Sequence, residues 1–430
     1  MISFTATGDS FILDHLPDSD KLDVIREYIC RADVRVSNLE TVFIDDSCFA
    51  NTFCGGAYVW SPPYVLEDMK KLGFNALFWA NNHTMDFSYG GLKYTMKCLN
   101  KAGFPFAGAG NSLYEASMPC FLNTKNGRVA ILAQAALYGS QHGARAGDSH
   151  DAFPPRPGIN ILRYEVEYIV TQAQMDVLRE VVNNTNMDAD DTLAVRQGFL
   201  KALPQDVLNF DGVMLRLGDE NKRTSSCNPN DLTRMKRHIS AACANADYAI
   251  VGIHSHQMSG RDELMPDFFL EEYAHACIDA GASAVVGSGT HLLRGIEIYK
   301  GKPIFYSLGN FIFQTVFATR IPMDTVESRG YDQTDFGAES MFLKAKPLPG
   351  RLSKLDVYHY SAIPYWEMEN GALCKLELLP ISMGYSTQDF AGYGVPKKAD
   401  PKDIYGQLCT ASERYGTEFY VDGDLIRLQI

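Results

Sequence analysis

The stretch Phe74-Asn75-Ala76-Leu77-Phe78-Trp79-Ala80-Asn81-Asn82-His83-Thr84-Met85-Asp86 decides how the chain is read. An apolar run of strand length, Phe74–Ala80, passes directly into Asn81-Asn82-His83, residue types that bind metals or move protons. Short apolar runs bounded by polar residues read as strands when helical patterns flank them. Upstream, Pro62 and Pro63 open a helix with Val65, Leu66, Met69 and Leu72 on one face, closed by Gly73. Downstream, a helix over about residues 89–101 carries Leu92, Met96 and Leu99 at helical spacing and stops at Gly103.

The same arrangement recurs on both sides of this stretch. Residues 2–7 form a β-rich run ending in Gly8-Asp9, and Val34-Arg35-Val36-Ser37 alternates as a strand before Asn38-Leu39-Glu40. Residues 248–253 read as a strand ending at His254-Ser255-His256, and a short strand over 284–287 precedes His291. Asp231 is expected to cap a helix carrying Leu232, Met235, Ile239 and Cys243, and Pro266 to open another that runs through Ala280 to Gly281. Ile296–Tyr299 and Pro303–Tyr306 flank Lys300-Gly301-Lys302, a hairpin signal. From about residue 315 the chain mixes loops, a strand near 372–379 and a last helix around 401–415. Alternating strands and helices predict an α/β fold with a mainly parallel sheet and helices on its faces.

Around residues 138–230 the pattern changes. Residues 142–157 are rich in Gly, Asp and Pro, and 183–191 are polar, with a helix-like piece between them. The expected organisation is a first half of the core over 1–137, a helical and loop insertion or lid over 138–230, and a second half with a C-terminal elaboration over 231–430.

Composition narrows the function classes. The chain has 430 residues, 46% of them hydrophobic, enough for a large core. With 39 Lys+Arg against 52 Asp+Glu, the formal charge is −13, which carries no electrostatic footprint for nucleic acid. No run of about 18 apolar residues offers a membrane anchor, and the first residues lack the basic start of a secretory signal. The ten cysteines are scattered, with no CxxC pair, so reduced thiols and a cytoplasmic location are expected.

Five successive strand ends thus deliver Asp9; Asn38 and Glu40; Asn82 and His83; His254 and His256; and His291. In open α/β sheets ligands bind beyond the carboxyl ends of strands. Two carboxylates, an Asn and several His placed there suit a divalent metal pair bridged by a carboxylate. Asp86, three residues past His83, is placed either to accept the His83 ring proton or to cap the next helix. The other histidines (His15, His142, His150, His238, His275, His359) have no such neighbours and read as structural or solvated.

Several of these segments resemble the CapA-like group, named for poly-γ-glutamate capsule synthesis, within the calcineurin-like metallophosphoesterase superfamily. They are Thr7-Gly8-Asp9, Ser37-Asn38-Leu39-Glu40, Ala80–Asp86, Gly108-Ala109-Gly110, Arg156-Pro157-Gly158-Ile159-Asn160, Ile253–His256 and, most specifically, the run from Phe268 to Phe313. The resemblance implies a four-layer α/β/β/α sandwich. By position, Asp9, Glu40, Asn82, His254 or His256, and His291 match metal-binding positions, and His83 matches the histidine that assists the leaving group. Two departures stand out. Phe11 occupies the place of a first-motif His, and Gly287-Ser288-Gly289-Thr290-His291 carries one His where the superfamily usually has two. With a ligand missing from each presumed site, the expectation is one weakly held Mn, Fe or Zn at most.

Three mechanisms remain open at this stage. With a metal, the chain is expected to hydrolyse a phosphoester or a γ-glutamyl or peptide-type bond in a small, carboxylate-bearing substrate. His83, Asp86 and His256 would be catalytic, Asn38 would help bind substrate, and Arg294 would grip a carboxylate or phosphate or else form a structural salt bridge. Without a metal, the same cluster is an acid/base site suited to peptide epimerisation. The third reading is a non-catalytic subunit of capsule or polyglutamate synthesis. The oligomeric state is not legible.

Overall fold

Ile2–Phe11 holds the larger sheet together. It pairs in parallel with Val34–Leu39 and, from Asp9 on, with Asn310–Phe313, while its first half pairs antiparallel with Tyr360–Glu369. On one flank come Ala76–Phe78 and Phe106–Ala107, both parallel. On the other come Ala372–Met383, Leu425–Leu428 and Phe419–Asp422, all antiparallel. This computed structural model describes residues 1–150, 152–318, 356–385 and 391–429, with 322, 323 and 327. Much of the expected loop region after 315 therefore lies outside the described residues.

A second sheet of six strands has the parallel core Gly127–Ala136, Tyr248–Ser255, Ala284–Ser288 and Lys302–Phe305. Its face assignment follows from strand periodicity. Ala249, Val251 and Ile253 pack against the helices Pro229–Cys243 and Phe268–Asp279, while Ile250 joins the core shared with the larger sheet. Side chains alternate, so His254 points to the same inner side as Ile250. The two sheets approach closely there, and a Cβ on Gly252 would lie 2.6 Å from the Phe78 ring. Asp20–Ile29, Val65–Lys71 and Ser88–Ala102 bury Ile25, Ile29, Val65, Met69, Leu92 and Leu99 in the core of the larger sheet. Each such side chain contributes on the order of 1.5–3 kcal/mol relative to exposure. The architecture is the expected α/β/β/α sandwich.

The expected hairpin is present at Lys300-Gly301, both residues with positive φ (50° and 73°). Several strands run further than the sequence suggests, so Asp9, Asn38 and His254 sit inside strands rather than in loops beyond them. Asp231 is not a helix cap. Asn228 fills that role, its side chain accepting from the Asn230 and Asp231 amides ahead of Pro229. Asp231 is instead buried among Arg145, Arg163 and Arg234.

The segment 138–230 is more ordered than a helical or loop insertion. Ala144, Ile159 and Ile161 pack into the main core. Beyond them, Val207–Phe210, Val213–Leu217, Tyr164–Val170 and Lys222–Cys227 form a four-stranded sheet in that order, with the helices Gln172–Thr185 and Ala189–Arg196. Its edge strand Lys222–Cys227 is fastened to the core by the Arg223–Asp267 ion pair (2.6 Å), and the neighbouring strand by the Tyr164–Phe269 ring stack (4.2 Å). Among the described residues no helix is long and apolar enough to cross a membrane.

Candidate metal centre

The carboxyl ends of both sheets meet at one place. Asp9 reaches it because the pairing of the first strand shifts register between Thr7 and Asp9 on one side and between Asp9 and Ser10 on the other. A bulge of this kind re-aims a side chain. Asp9 is fully buried: Oδ1 accepts from Asn38 Nδ2 at 2.8 Å and lies 3.5 Å from His254 Nδ1. Its Oδ2 accepts the Gly289 amide at 2.9 Å and lies 3.7 Å from His291 Nδ1. Burial opposes the Asp9 charge, but His254, His291 and Asn38 outweigh it and hold the carboxyl far below the usual range. Gly289 has no room for a side chain, since a Cβ there would be 2.8 Å from the Ser255 carbonyl oxygen.

Glu40 is the centre of the cluster. Its Oε1 lies 3.7 Å from His254 Nε2 and 4.0 Å from His83 Nε2, yet both carboxylate oxygens are buried and have no hydrogen-bond partner among the described residues. Burial, then Asp9 and Asp86, push its carboxyl well above the ordinary range. A buried carboxylate without donors is costly unless a proton or a cation compensates it. Asn82 repeats the pattern, with Nδ2 donating to the Gly55 carbonyl at 2.8 Å and a buried, unpartnered Oδ1.

The ligand atoms fall into two groups that share Glu40: Glu40, His254 and His256, and Asp9, Glu40 and His291, each within 4.8 Å. His254 and His256 bring their Nε2 atoms to 3.2 Å, and burial, then His254 and His291, lower the proton affinity of His256 well below the usual value. Neutral imidazoles beside carboxylates are the donor set of borderline divalent ions such as Zn, Mn and Fe. The residues present therefore fit a metal, with two triads of ligand atoms that share Glu40 among the described residues.

His83 stands beside this cluster. Its Nδ1 is 2.7 Å from Asp86 Oδ2, whose carboxylate also accepts the Gly55 and Val59 amides at 3.0 and 2.8 Å. Asp86 is thus the orienting partner of His83 and caps no helix; the helix Ser88–Ala102 has Phe87 at its N-cap. Phe11 meets the His83 ring edge-on, centroids 5.6 Å apart, and so walls its pocket.

Two expected roles change. Arg294 is 1% exposed, and its Nε and Nη1 donate to the carbonyls of Glu263 and Gln257 at 2.8 and 2.9 Å. It fastens a loop and presents no fork to a solute, and burial lowers its proton affinity to about 10. Asn38 is likewise occupied, donating to Asp9 and lying 3.2 Å from both His254 Nδ1 and Asn81 Nδ2. It positions the cluster rather than binding substrate.

Sequence reasoning missed Ser288, whose Oγ is 3.1 Å from His254 Nδ1, and Asn310. Asn310 Oδ1 accepts from His291 Nδ1 at 2.9 Å while its Nδ2 donates to the His291 carbonyl at 3.3 Å. That pairing holds His291 at a φ of +61°. The available signal was a lone Asn at the head of the apolar run 311–313.

Several known proteins are similar to this chain in sequence. An uncharacterized protein of Sinorhizobium fredii, y4sH, is 34% identical over 425 residues, spanning 94% of this chain and 88% of that one. A "probable polyglutamine synthesis accessory protein" of Mycobacterium tuberculosis is 28% identical over 65% of this chain and 55% of its own length. A "capsule biosynthesis protein CapA" of Bacillus anthracis is 26% identical over 58% of this chain and 42% of its own. The bacterial capsule synthesis protein model, PGA_cap, matches residues 5–315, and the chain belongs to that CapA family, within the metallophosphoesterase superfamily.

Proposed function

We propose that this protein is a metal-assisted hydrolase of an amide bond in a carboxylate-bearing, γ-glutamyl-type peptide. The observation that carries the reading is the buried Glu40 carboxylate, with no hydrogen bond to either oxygen among the described residues and two groups of ligands around it. Asp9, Glu40, Asn82, His254, His256 and His291 would hold the ion. When bound, a divalent ion polarises a carbonyl and lowers the pKa of water.

The chain's own residues supply the rest. Asp86 fixes the His83 ring through Nδ1, leaving Nε2 on the Glu40 side to deliver a proton to the leaving amine. Asn310 and Asn38 hold His291 and Asp9 in place. Phe11 and Phe313, centroids 5.1 Å apart, keep water from the His83 and His291 flank. The choice of a γ-glutamyl substrate is supported by the polyglutamate and capsule names of the relatives.

The test is elemental analysis of the purified protein, followed by product analysis with γ-linked glutamate oligomers in H2O and D2O. Bound Mn, Fe or Zn, lost in Asp9→Ala, together with amine release from the oligomer, is the expected result. Deuterium uptake at Cα without chain cleavage would replace hydrolysis with epimerisation.

A further inference from the structure

A second cluster lies apart from the metal ligands, where the insertion meets the core. Asp231 is fully buried, and three arginines converge on it. Oδ1 accepts from Arg145 Nη2 at 3.2 Å, Arg163 Nη2 at 3.1 Å and Arg234 Nη1 at 2.5 Å. Oδ2 accepts the Arg163 amide at 3.1 Å and its Nε at 2.7 Å. One carboxylate facing three guanidiniums leaves an excess of positive charge in a chain whose formal charge is −13.

The three arginines are not equally engaged. Arg234 spends its remaining donors on Ser117 Oγ, Asn160 Oδ1 and the Ile161 carbonyl. Arg163 reaches Asn228 Oδ1 at 3.5 Å. Among the described residues the Arg145 side chain hydrogen-bonds only Asp231, and its Nε is buried without a hydrogen-bond partner. Burial, with Arg163 and Arg234 adding to it, holds the Arg145 proton affinity below the usual arginine value despite Asp231. A buried guanidinium N–H without an acceptor is unfavourable, and a planar anion is its natural complement. The side chains of Arg145 and Arg163 are 22% and 36% exposed, so solvent reaches this edge.

Arg145 is also tied to the rim of the metal centre. The turn Gly139–Ala144 runs from Tyr138, whose ring centroid is 6.5 Å from that of His256, to Arg145. Six residues of 3₁₀ turn span about 12 Å. Within it, Gln141 Nε2 donates to the Cys54 carbonyl at 2.7 Å, next to the Gly55 amide that binds Asp86.

We propose that Arg145, supported by Arg163 and Asp231, is an anion-binding subsite that takes a side carboxylate of the substrate chain beyond the bond at the metal centre. The proposal rests on the γ-glutamyl reading and deepens it. A polymer with a carboxylate on every residue would be held at two points, the second raising affinity by effective concentration. Arg145 is a binding residue and takes no part in the chemistry.

The test is calorimetric titration of the purified, metal-replete protein with γ-linked triglutamate, against Arg145→Gln and Arg145→Lys. The expected result is at least tenfold weaker binding in Arg145→Gln and partial recovery in Arg145→Lys. Metal content and melting temperature should stay near wild type in both. Equal affinity in wild type and a folded Arg145→Gln overturns the subsite. Absence of triglutamate binding to wild type instead overturns the γ-glutamyl reading. The subsite is then decided by inorganic phosphate, whose thermal stabilisation of wild type must vanish in Arg145→Gln.

Discussion

His83 and Asp86 are three residues apart and meet at 2.7 Å through Nδ1 and Oδ2, in a pocket from which both are almost wholly withdrawn from solvent. The carboxylate keeps two backbone amides as further partners, so the pair is rigid. If His83 is the proton donor, His83→Ala should lower kcat about 10²–10⁴-fold. Asp86→Asn should lower it less, about 10–100-fold, because the ring survives but loses its orienting acceptor. Steady-state kinetics on a γ-linked oligomer decides the matter. A rise in KM with kcat unchanged in Asp86→Asn would remove Asp86 from the chemistry.

Glu40 makes the opposite trade. In the metal-free protein its buried oxygens have no donors among the described residues, and Asp9 and Asp86 add repulsion. The neutral isostere relieves that cost, so metal-free Glu40→Gln should melt at or above metal-free wild type. A ligand that binds only the folded state raises stability by mass action. Added Zn or Mn should therefore raise the melting temperature of wild type and leave Glu40→Gln nearly unchanged. Differential scanning calorimetry with and without chelator reads both halves. Equal metal stabilisation of the two proteins would remove Glu40 from the ligand set.

The site was legible where periodicity and chemistry coincide. Asp9, Glu40, Asn82, His83, His254 and His291 each follow or close an apolar run, and strand alternation is enough to bring such ends together. Arg294 was left open between a substrate grip and a structural salt bridge because nothing in a sequence says which carbonyls will surround a guanidinium; here they belong to Gln257 and Glu263. The four-stranded sheet of the insertion was missed although its cues were present. Asp211-Gly212, with φ of 50° and 83°, is the two-residue turn between Val207–Phe210 and Val213–Leu217. Asn370-Gly371, at 51° and 81°, likewise marks the antiparallel pair Tyr360–Glu369 and Ala372–Met383, of which only part of the second strand was anticipated.

Gly252 tests the face-to-face packing of the sheets. Its missing side chain admits the Phe78 ring, and an added methyl would sit 2.6 Å from it. Gly252→Ala should cost about 1–3 kcal/mol by overpacking, read as a lower urea midpoint at unchanged m. A stability equal to wild type would mean that the sheets can separate locally at little cost.

Arg294→Met tests the loop-fastening role. The variant keeps the volume of the buried stem but leaves the Gln257 and Glu263 carbonyls without their charged donor. Each hydrogen bond to a charged group is worth about 1.5–3 kcal/mol, so a loss of several kcal/mol in urea unfolding is expected. Metal content should persist in the folded fraction. A variant as stable as wild type would restore Arg294 to the candidates for substrate contact.

Asp231 sets a pH dependence whose sign can be worked out. Burial raises its proton affinity, but Arg163 and Arg234 overcome that and hold the folded carboxyl far below the unfolded value of about 3.9. The unfolded chain therefore takes up the proton first as pH falls. The stabilisation is fully present above about pH 5 and is lost progressively below about pH 4. Asp231→Asn has no such proton to take up. It should be less stable than wild type at pH 7, since three guanidiniums then face no charge, and the gap should narrow as pH falls from 5 to 3. Urea midpoints across that range measure it. A gap constant with pH would mean that the arginines stabilise Asp231 no more in the folded protein than in the unfolded chain.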